Sequence, residues 1–230
     1  MLGRMSQRQS VPVDRGELAA ALQRLDLPIR PGQLEQLARY AGRLWAWNTR
    51  INLTRHTDIE RFVTRDVWDA WHLSRCLGEG EEVLDVGSGG GIPGLLLAIL
   101  RPDLEVAVCD SIAKKVGVLN DLVEQLELPV PVYHGRAEEV IDEFRFDTLV
   151  ARAVGPLVKV ASWFGGRWHL FGRLLLIKGP RWPEERGEAR HRGVLKPVEL
   201  RRVHQYPMIG TESESVILQL KRKDSPGRSG

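Results

Sequence analysis

Leu34, Leu37, Ala38, Ala41, Leu44 and Trp45 recur at steps of three and one, the spacing of one buried helical face. That spacing assigns Trp45 and Trp47 to helix packing rather than to base stacking. A shorter helix is expected before it, where Asp14 stands as N-cap with Glu17 three residues on, ahead of Leu18 to Leu22. A third is expected from Asp58 to Cys76, with Phe62, Val63, Val67 and Trp71 on one side. From residue 82 the texture changes to short apolar runs, Val83 to Val86, Val106 to Cys109, Val132 to His134, Thr148 to Ala151 and Leu174 to Ile177. The segments between them are long enough for helices, so right-handed crossovers and a parallel sheet follow. Then the rhythm breaks. Val198 to Tyr206 and Val216 to Leu220 are joined by Pro207 to Ser215 without room for a crossover helix, which predicts an antiparallel hairpin at the sheet edge.

The organisation expected is a helical extension over 1–80, an α/β domain over 81–220 and a charged, Ser/Gly/Pro-containing flexible tail over 221–230. Five parallel strands followed by a hairpin resemble the seven-stranded, mostly parallel sheet of the Rossmann-like class I methyltransferases. Nicotinamide-binding Rossmann domains continue instead with parallel strands.

With 230 residues, 43% hydrophobic and 27% charged, the chain has the composition of an ordinary globular protein with a substantial core. No apolar run approaches the ~20 residues of a membrane span, and the first residues lack the apolar core of a secretion signal, so a cytoplasmic protein without membrane partners is expected. Cys76 and Cys109 show no CxxC or CxxH spacing, and His72, His134, His169, His191 and His204 show no ligand pattern, so no metal is expected. The net charge of +3 hides a division: residues 1–80 carry 12 basic and 9 acidic side chains, 81–155 carry 6 and 14, and 156–230 carry 15 and 7. An acidic middle between basic flanks suits a surface where one part meets a polyanion and another holds a small ligand, although a solvated surface with chance clustering reads the same way.

The candidate ligand site is Val83-Leu84-Asp85-Val86-Gly87-Ser88-Gly89-Gly90-Gly91-Ile92-Pro93-Gly94, a strand, a glycine turn and a helix start with Pro93 in the first helical turn. Glycines are needed where the backbone bends sharply and a ligand approaches it closely. Gly89, Gly91 and Gly94 satisfy the dinucleotide pattern GxGxxG, while Asp85, Gly87, Gly89 and Gly91 satisfy the methyltransferase-like DxGxGxG, which the register favours. Asp110, closing the second strand, is placed to hold a ribose through both hydroxyls, or alternatively to cap the next helix. At Gly135-Arg136-Ala137-Glu138-Glu139 an adenine would meet Glu138 or a backbone amide, unless the acids merely start a helix.

These motifs together resemble the ribosomal small-subunit methyltransferase G (GidB) family over Trp47 to Leu220. The resemblance rests on Trp47-Asn48 with Asn52-Leu53-Thr54, the glycine loop ending Ile92-Pro93-Gly94, Asp110-Ser111 with Lys114-Lys115, Gly135 to Glu139, Ala151-Arg152-Ala153 and Ile177-Lys178-Gly179-Pro180. It implies N7-methylation of a guanosine in the 530 loop of 16S ribosomal RNA by S-adenosylmethionine. The partner would be the small ribosomal subunit or its RNA, and a monomer is the default state. The implied cofactor contacts are Gly87, Gly89, Gly91, Ile92, Asp110, Ala137, Glu138 and Arg152. Where the family usually has Arg-His followed by Asp-Ser, this chain reads Arg65-Asp66 and Asp69-Ala70 on a helix bordering the substrate side.

Methyl transfer to guanine N7 removes no proton, because N7 offers a lone pair. No side chain is therefore required as acid or base, in keeping with a sequence lacking an NPPY-like motif or a His-Asp pair at telling spacing. Rate enhancement is expected from alignment and from a polarised environment for the nascent cation. Asn52, Arg65, Lys178 and Arg181 are the candidate RNA contacts. The rival readings are a divergent methyltransferase acting on another RNA or a small molecule, and a non-catalytic RNA-binding assembly factor. S-adenosylhomocysteine binding separates the last from the others.

Overall fold

The computed structural model describes residues 10–223. Helix α1 (Arg15–Arg24) starts where Asp14 Oδ1 accepts from the Gly16 and Glu17 amides, at 2.8 and 3.0 Å. It thereby satisfies donors that a first helical turn leaves unpaired. Helix α2 (Pro31–Asn48) opens on a proline, whose missing N–H costs nothing there, and buries Leu37, Ala38, Ala41, Leu44, Trp45 and Trp47 as the periodicity predicts.

The third expected helix runs through a different geometry. Asp58 caps α3 (Ile59–Arg61) by accepting from the Arg61 amide, a π-helical turn follows at Phe62–Val67, and α4 (Trp68–Ser74) continues. The wider turn keeps Phe62, Val63, Val67 and Ala70 fully buried while also drawing Asp66 inside. Such turns interrupt α-helices mostly as single, locally strained insertions.

The α/β part alternates β1 (Glu82–Val86), α5 (Gly94–Leu100), β2 (Glu105–Asp110), α6 (Ala113–Leu126), β3 (Val132–His134), α7 (Ala137–Glu143), β4 (Phe146–Arg152), α8 (Leu157–Trp163), β5 (Phe171–Lys178) and α9 (Trp182–His191). It ends in the hairpin β6 (Val198–Pro207) and β7 (Glu214–Arg222). Sheet order is β3-β2-β1-β4-β5-β7-β6, with β1 to β5 parallel and β7 antiparallel to both its neighbours. The expected tail begins later than its composition implied: Lys221 pairs with Glu199 and Arg222 with Val198 inside the sheet. The remaining tail residues, 224–230, lie outside the described region.

Successive strand residues face opposite sides. Val83, Val106 and Val108 enter a core shared with α1, α2, the π turn, α5 and α6, whereas Leu84, Ala107 and Cys109 enter one shared with α7, α8 and α9. The N-terminal helices thus complete one face of the sheet. Their firmest tie is the buried Arg43 of α2, which places Nε and Nη2 each 2.7 Å from the Asp121 carboxylate of α6, while Trp47 Nε1 donates to the same group at 2.6 Å.

The two flanks of β1 run in opposite directions through the sheet order, so β1 is the switch point. Crevices for ligands form beyond the carboxyl ends of strands at such a point.

Candidate cofactor and substrate cleft

At the end of β1 the chain turns through Gly87, Gly89 and Gly91 at φ of +70°, +59° and +93°. L-residues with a Cβ occupy that region at a cost. The amides of Gly87 and Ser88 both donate to the Cys109 carbonyl, at 2.9 and 3.0 Å, which fixes the turn against β2. Gly94 serves a different need. A Cβ there would lie 2.7 Å from both Asp85 Cβ and Val108 Cγ1, so glycine lets α5 sit directly on the sheet. Pro93, expected in the first helical turn, stands one position earlier, as the N-cap of α5.

Two cavities open from this loop and meet at Gly87. The first, of about 320 Å³, includes Val86, Cys109, Asp110, Ala137, Glu138 and Trp163 in its wall. Asp110 is 5% exposed and does not cap α6, whose N-cap is Ile112. Its Oδ2 accepts from the Gly89 amide at 3.0 Å and its Oδ1 from the Ile112 amide at 2.9 Å, so the carboxylate braces the glycine turn. The two acids at the start of α7 divide their work: Glu139 accepts from the Arg136 amide at 3.0 Å, and Glu138 lines the cavity.

The second cavity, of about 270 Å³, lies between the glycine loop and the N-terminal helices, with Thr54, Arg55, His56, Asp66, Ile92 and Arg152 in its wall. Asn48 shapes its rim by accepting from the Leu53 and Thr54 amides and donating to the Thr54 carbonyl. Arg152, the last residue of β4, reaches Asp66 Oδ1 with Nη1 at 2.6 Å and Asp69 Oδ2 with Nε at 3.0 Å. Tyr206 donates to Asp69 Oδ1 at 2.7 Å. Burial pushes the Asp69 carboxyl above its ordinary range, Arg152 opposing and Asp66 adding to the shift.

His56 Nδ1 also lies 2.7 Å from Asp66 Oδ1. A His-Asp pair therefore stands in the cleft wall, one that no telling spacing in the sequence announced. Ten residues separate its members, and the connection runs through a loop and the π turn, a geometry that no fixed sequence interval encodes. The one available signal was the presence of Asp66 where the resembled family carries histidine.

The candidate RNA contacts come from the loop after α2, the π turn and the end of β5 with the turn that follows it. Asn52 and Arg181 are exposed and Arg65 is half-buried on the π turn. Lys178, the last residue of β5, turns inward: its Nζ donates to the Gly155 carbonyl at 2.6 Å and to Glu185 Oε2 at 2.7 Å. That ammonium ties the turn after β4 to α9.

Asp85 sits beneath the loop, fully buried, with Oδ2 accepting from the Gly94 amide at 2.9 Å. Burial pushes its carboxyl up to about 7, against the pull of that amide. From about pH 4 to about 7 the native protein retains a proton that the unfolded chain releases. Stability is therefore expected to fall as pH rises through this window, by up to ~4 kcal/mol, and to level off above it. Denaturant midpoints at pH 5 and pH 8 should show that decline in the wild type and a markedly flatter response in Asp85→Asn; equal slopes would remove Asp85 as its source.

Comparison with known proteins adds to this geometry. The model of a family described as rRNA small subunit methyltransferase G matches residues 33–211. A ribosomal RNA small subunit methyltransferase G from Rhodopirellula baltica is 49% identical over 210 residues, covering 91% of this chain and 90% of that protein. One from a Roseiflexus species is 40% identical over 164 residues, covering 69% and 70%. Among solved structures, a methyltransferase from Pyrococcus furiosus superposes with a TM-score of 0.54 at 15% identity, over 70% of this chain and 85% of that one. TrmK from M. capricolum, solved with S-adenosylhomocysteine, gives 0.51 at 9% identity over 67% of each chain. At such identities the two structures speak to the fold alone.

Proposed function

The chain belongs to the rRNA small subunit methyltransferase G family, and on that premise we propose that it methylates N7 of a guanosine in the 530 loop of 16S ribosomal RNA. It is an S-adenosylmethionine-dependent rRNA methyltransferase with a class I fold. The match over residues 33–211 is the observation that carries the reaction. The site works in the cytoplasm, on the small subunit or its RNA, and as a monomer.

The cleft fits the cofactor. Asp110, held rigid by two backbone amides at the end of β2, presents a carboxylate suited to vicinal ribose hydroxyls. Ala137 and Glu138 border the space for the adenine, and Gly87, Gly89 and Gly91 let the backbone pass close to the centre of the molecule. Ile92 and Arg152 line the cavity on the other side of Gly87, where the amino-acid end belongs. S-adenosylmethionine supplies a methyl group on a positively charged sulfur.

The protein's part is to aim. Guanine N7 needs no base, so the His56–Asp66 pair is not asked to accept a proton. The braced loop, the Asn48-shaped rim and the Arg152 cluster fix the walls between which the acceptor and the methyl must line up, and a wall that does not move at the moment of reaction is worth several powers of ten in rate. Arg181, Arg65 and Asn52 position the RNA. Each arginine that meets a phosphate makes binding weaken with salt.

Labelled-methyl transfer to unmethylated 30S subunits and to naked 16S RNA, with the product mapped by mass spectrometry, tests the proposal. Methyl on N7 of a 530-loop guanosine is expected; another nucleotide, or no transfer at cofactor saturation, would defeat it. For Arg181→Ala, the slope of log affinity against log salt should shrink by about 0.7–0.9. An unchanged slope would exclude a phosphate contact at Arg181.

A further inference from the structure

Asp66 is 1% exposed, lines the cavity on the amino-acid side of Gly87, and has committed one oxygen only. Its Oδ1 is shared by Arg152 and His56, whereas Oδ2 has no hydrogen-bond partner among the described residues. A buried carboxylate oxygen left without a donor is costly, which makes it a strong acceptor for any donor brought to it. Charge points the same way. Around Arg152, two carboxylates, Asp66 and Asp69, face one guanidinium. Burial holds the Asp69 carboxyl above its usual range, with the Asp66 charge contributing.

Asp85 Oδ1 is the other unpartnered carboxylate oxygen near the loop, but Asp85 is not part of either cavity wall. Asp110, at the far side of Gly87, has both oxygens engaged. Among the described residues that line the amino-acid side, Asp66 is the one carboxylate, and its Oδ2 is uncommitted.

We propose that Asp66 is a positioning residue for the cofactor, accepting through Oδ2 from the α-ammonium group of its amino-acid end. The inference rests on the placement of S-adenosylmethionine given above. It also sets the direction of the zwitterion: the ammonium meets the buried anion, and the carboxylate meets the cations of the same wall, Lys115 and the exposed Arg55. Arg152, already held by two carboxylates, then acts through Asp66 by fixing its position.

The test compares S-adenosylhomocysteine with the analogue lacking only its α-amino group, by calorimetry on the full chain. Wild type should bind the complete compound about 10- to 100-fold more tightly, the range of a charge-assisted bond to a buried partner. In Asp66→Asn that preference should collapse to within a few-fold, with affinity for the amino-free analogue nearly unchanged. Equal wild-type affinities for the two compounds would overturn the proposal without needing any variant, and so would an Asp66→Asn protein that lost both equally or neither. If wild type bound neither compound, the placement of the cofactor would fail, and the assignment of Asp66 with it.

Discussion

Asp110→Ala is expected to weaken S-adenosylhomocysteine binding by at least about 100-fold, a loss of roughly 3 kcal/mol or more. Two effects combine. The ribose loses its charged acceptor, worth about 1.5–3 kcal/mol, and the glycine turn loses its brace. The Gly89 and Ile112 amides would have to find water in place of Oδ2 and Oδ1. Gly89 lies at φ +59° and keeps that conformation partly because the carboxylate holds its N–H. Asp110→Asn should fall between the two, since its side-chain oxygen accepts from one amide but its nitrogen cannot accept from the other. Calorimetric titration of the three proteins measures the series. Binding by Asp110→Ala within threefold of wild type would show that the ribose lies elsewhere.

The largest loss of stability is expected at Asp121. Removing one partner of a buried ion pair typically costs about 3–5 kcal/mol. Arg43 has 4% of its side chain exposed, and Trp47 Nε1 leans on the same carboxylate. Asp121→Ala should therefore lower Tm by roughly 6–20 °C at this chain length. Arg43→Met in the same chain should return part of that loss, because a buried cation that has lost its Asp121 carboxylate is gone. Thermal melts of both proteins decide the matter; a fall of less than 2 °C for Asp121→Ala would mean that the Arg43–Asp121 pair contributes little to holding α2 on α6.

How far these groups could be foreseen depends on what encodes them. Most strands were legible because they are short β-branched or leucine-rich runs between turn residues, and the hairpin because Pro207 to Ser215 leaves no room for a crossover helix. The glycine loop and Asp110 were legible because their spacing is local: a turn, a helix start and one neighbouring strand. The π turn was not. Phe62, Val63, Val67 and Trp71 fit an ordinary helix equally well, and nothing in their spacing marks the wider turn at Phe62–Val67. The Asp66 cluster escaped for a related reason, since Arg152 reaches it from 86 residues away and Tyr206 reaches Asp69 from 137 residues away. Lys178 shows the converse. A basic residue after a strand reads as solvent-facing, but Glu185 on the following helix and the Gly155 carbonyl draw it inward.

The bond from Tyr206 to Asp69 has a bearing on when the protein becomes competent. Tyr206 belongs to β6, and β6 is held in the sheet only through β7, so the hydroxyl that steadies Asp69 is in place only after residue 222 has emerged and paired. Trp68 Nε1 donates to the Pro207 carbonyl at 2.9 Å, and His72 Nδ1 lies 2.8 Å from His204 Nε2, so α4 is clasped by the hairpin at three points. During synthesis, N-terminal parts fold first. The glycine loop and Asp110 precede the hairpin in the chain, and the wall opposite them is finished only when β6 and β7 have docked. A chain in which this hairpin has not yet docked thus carries half a cleft.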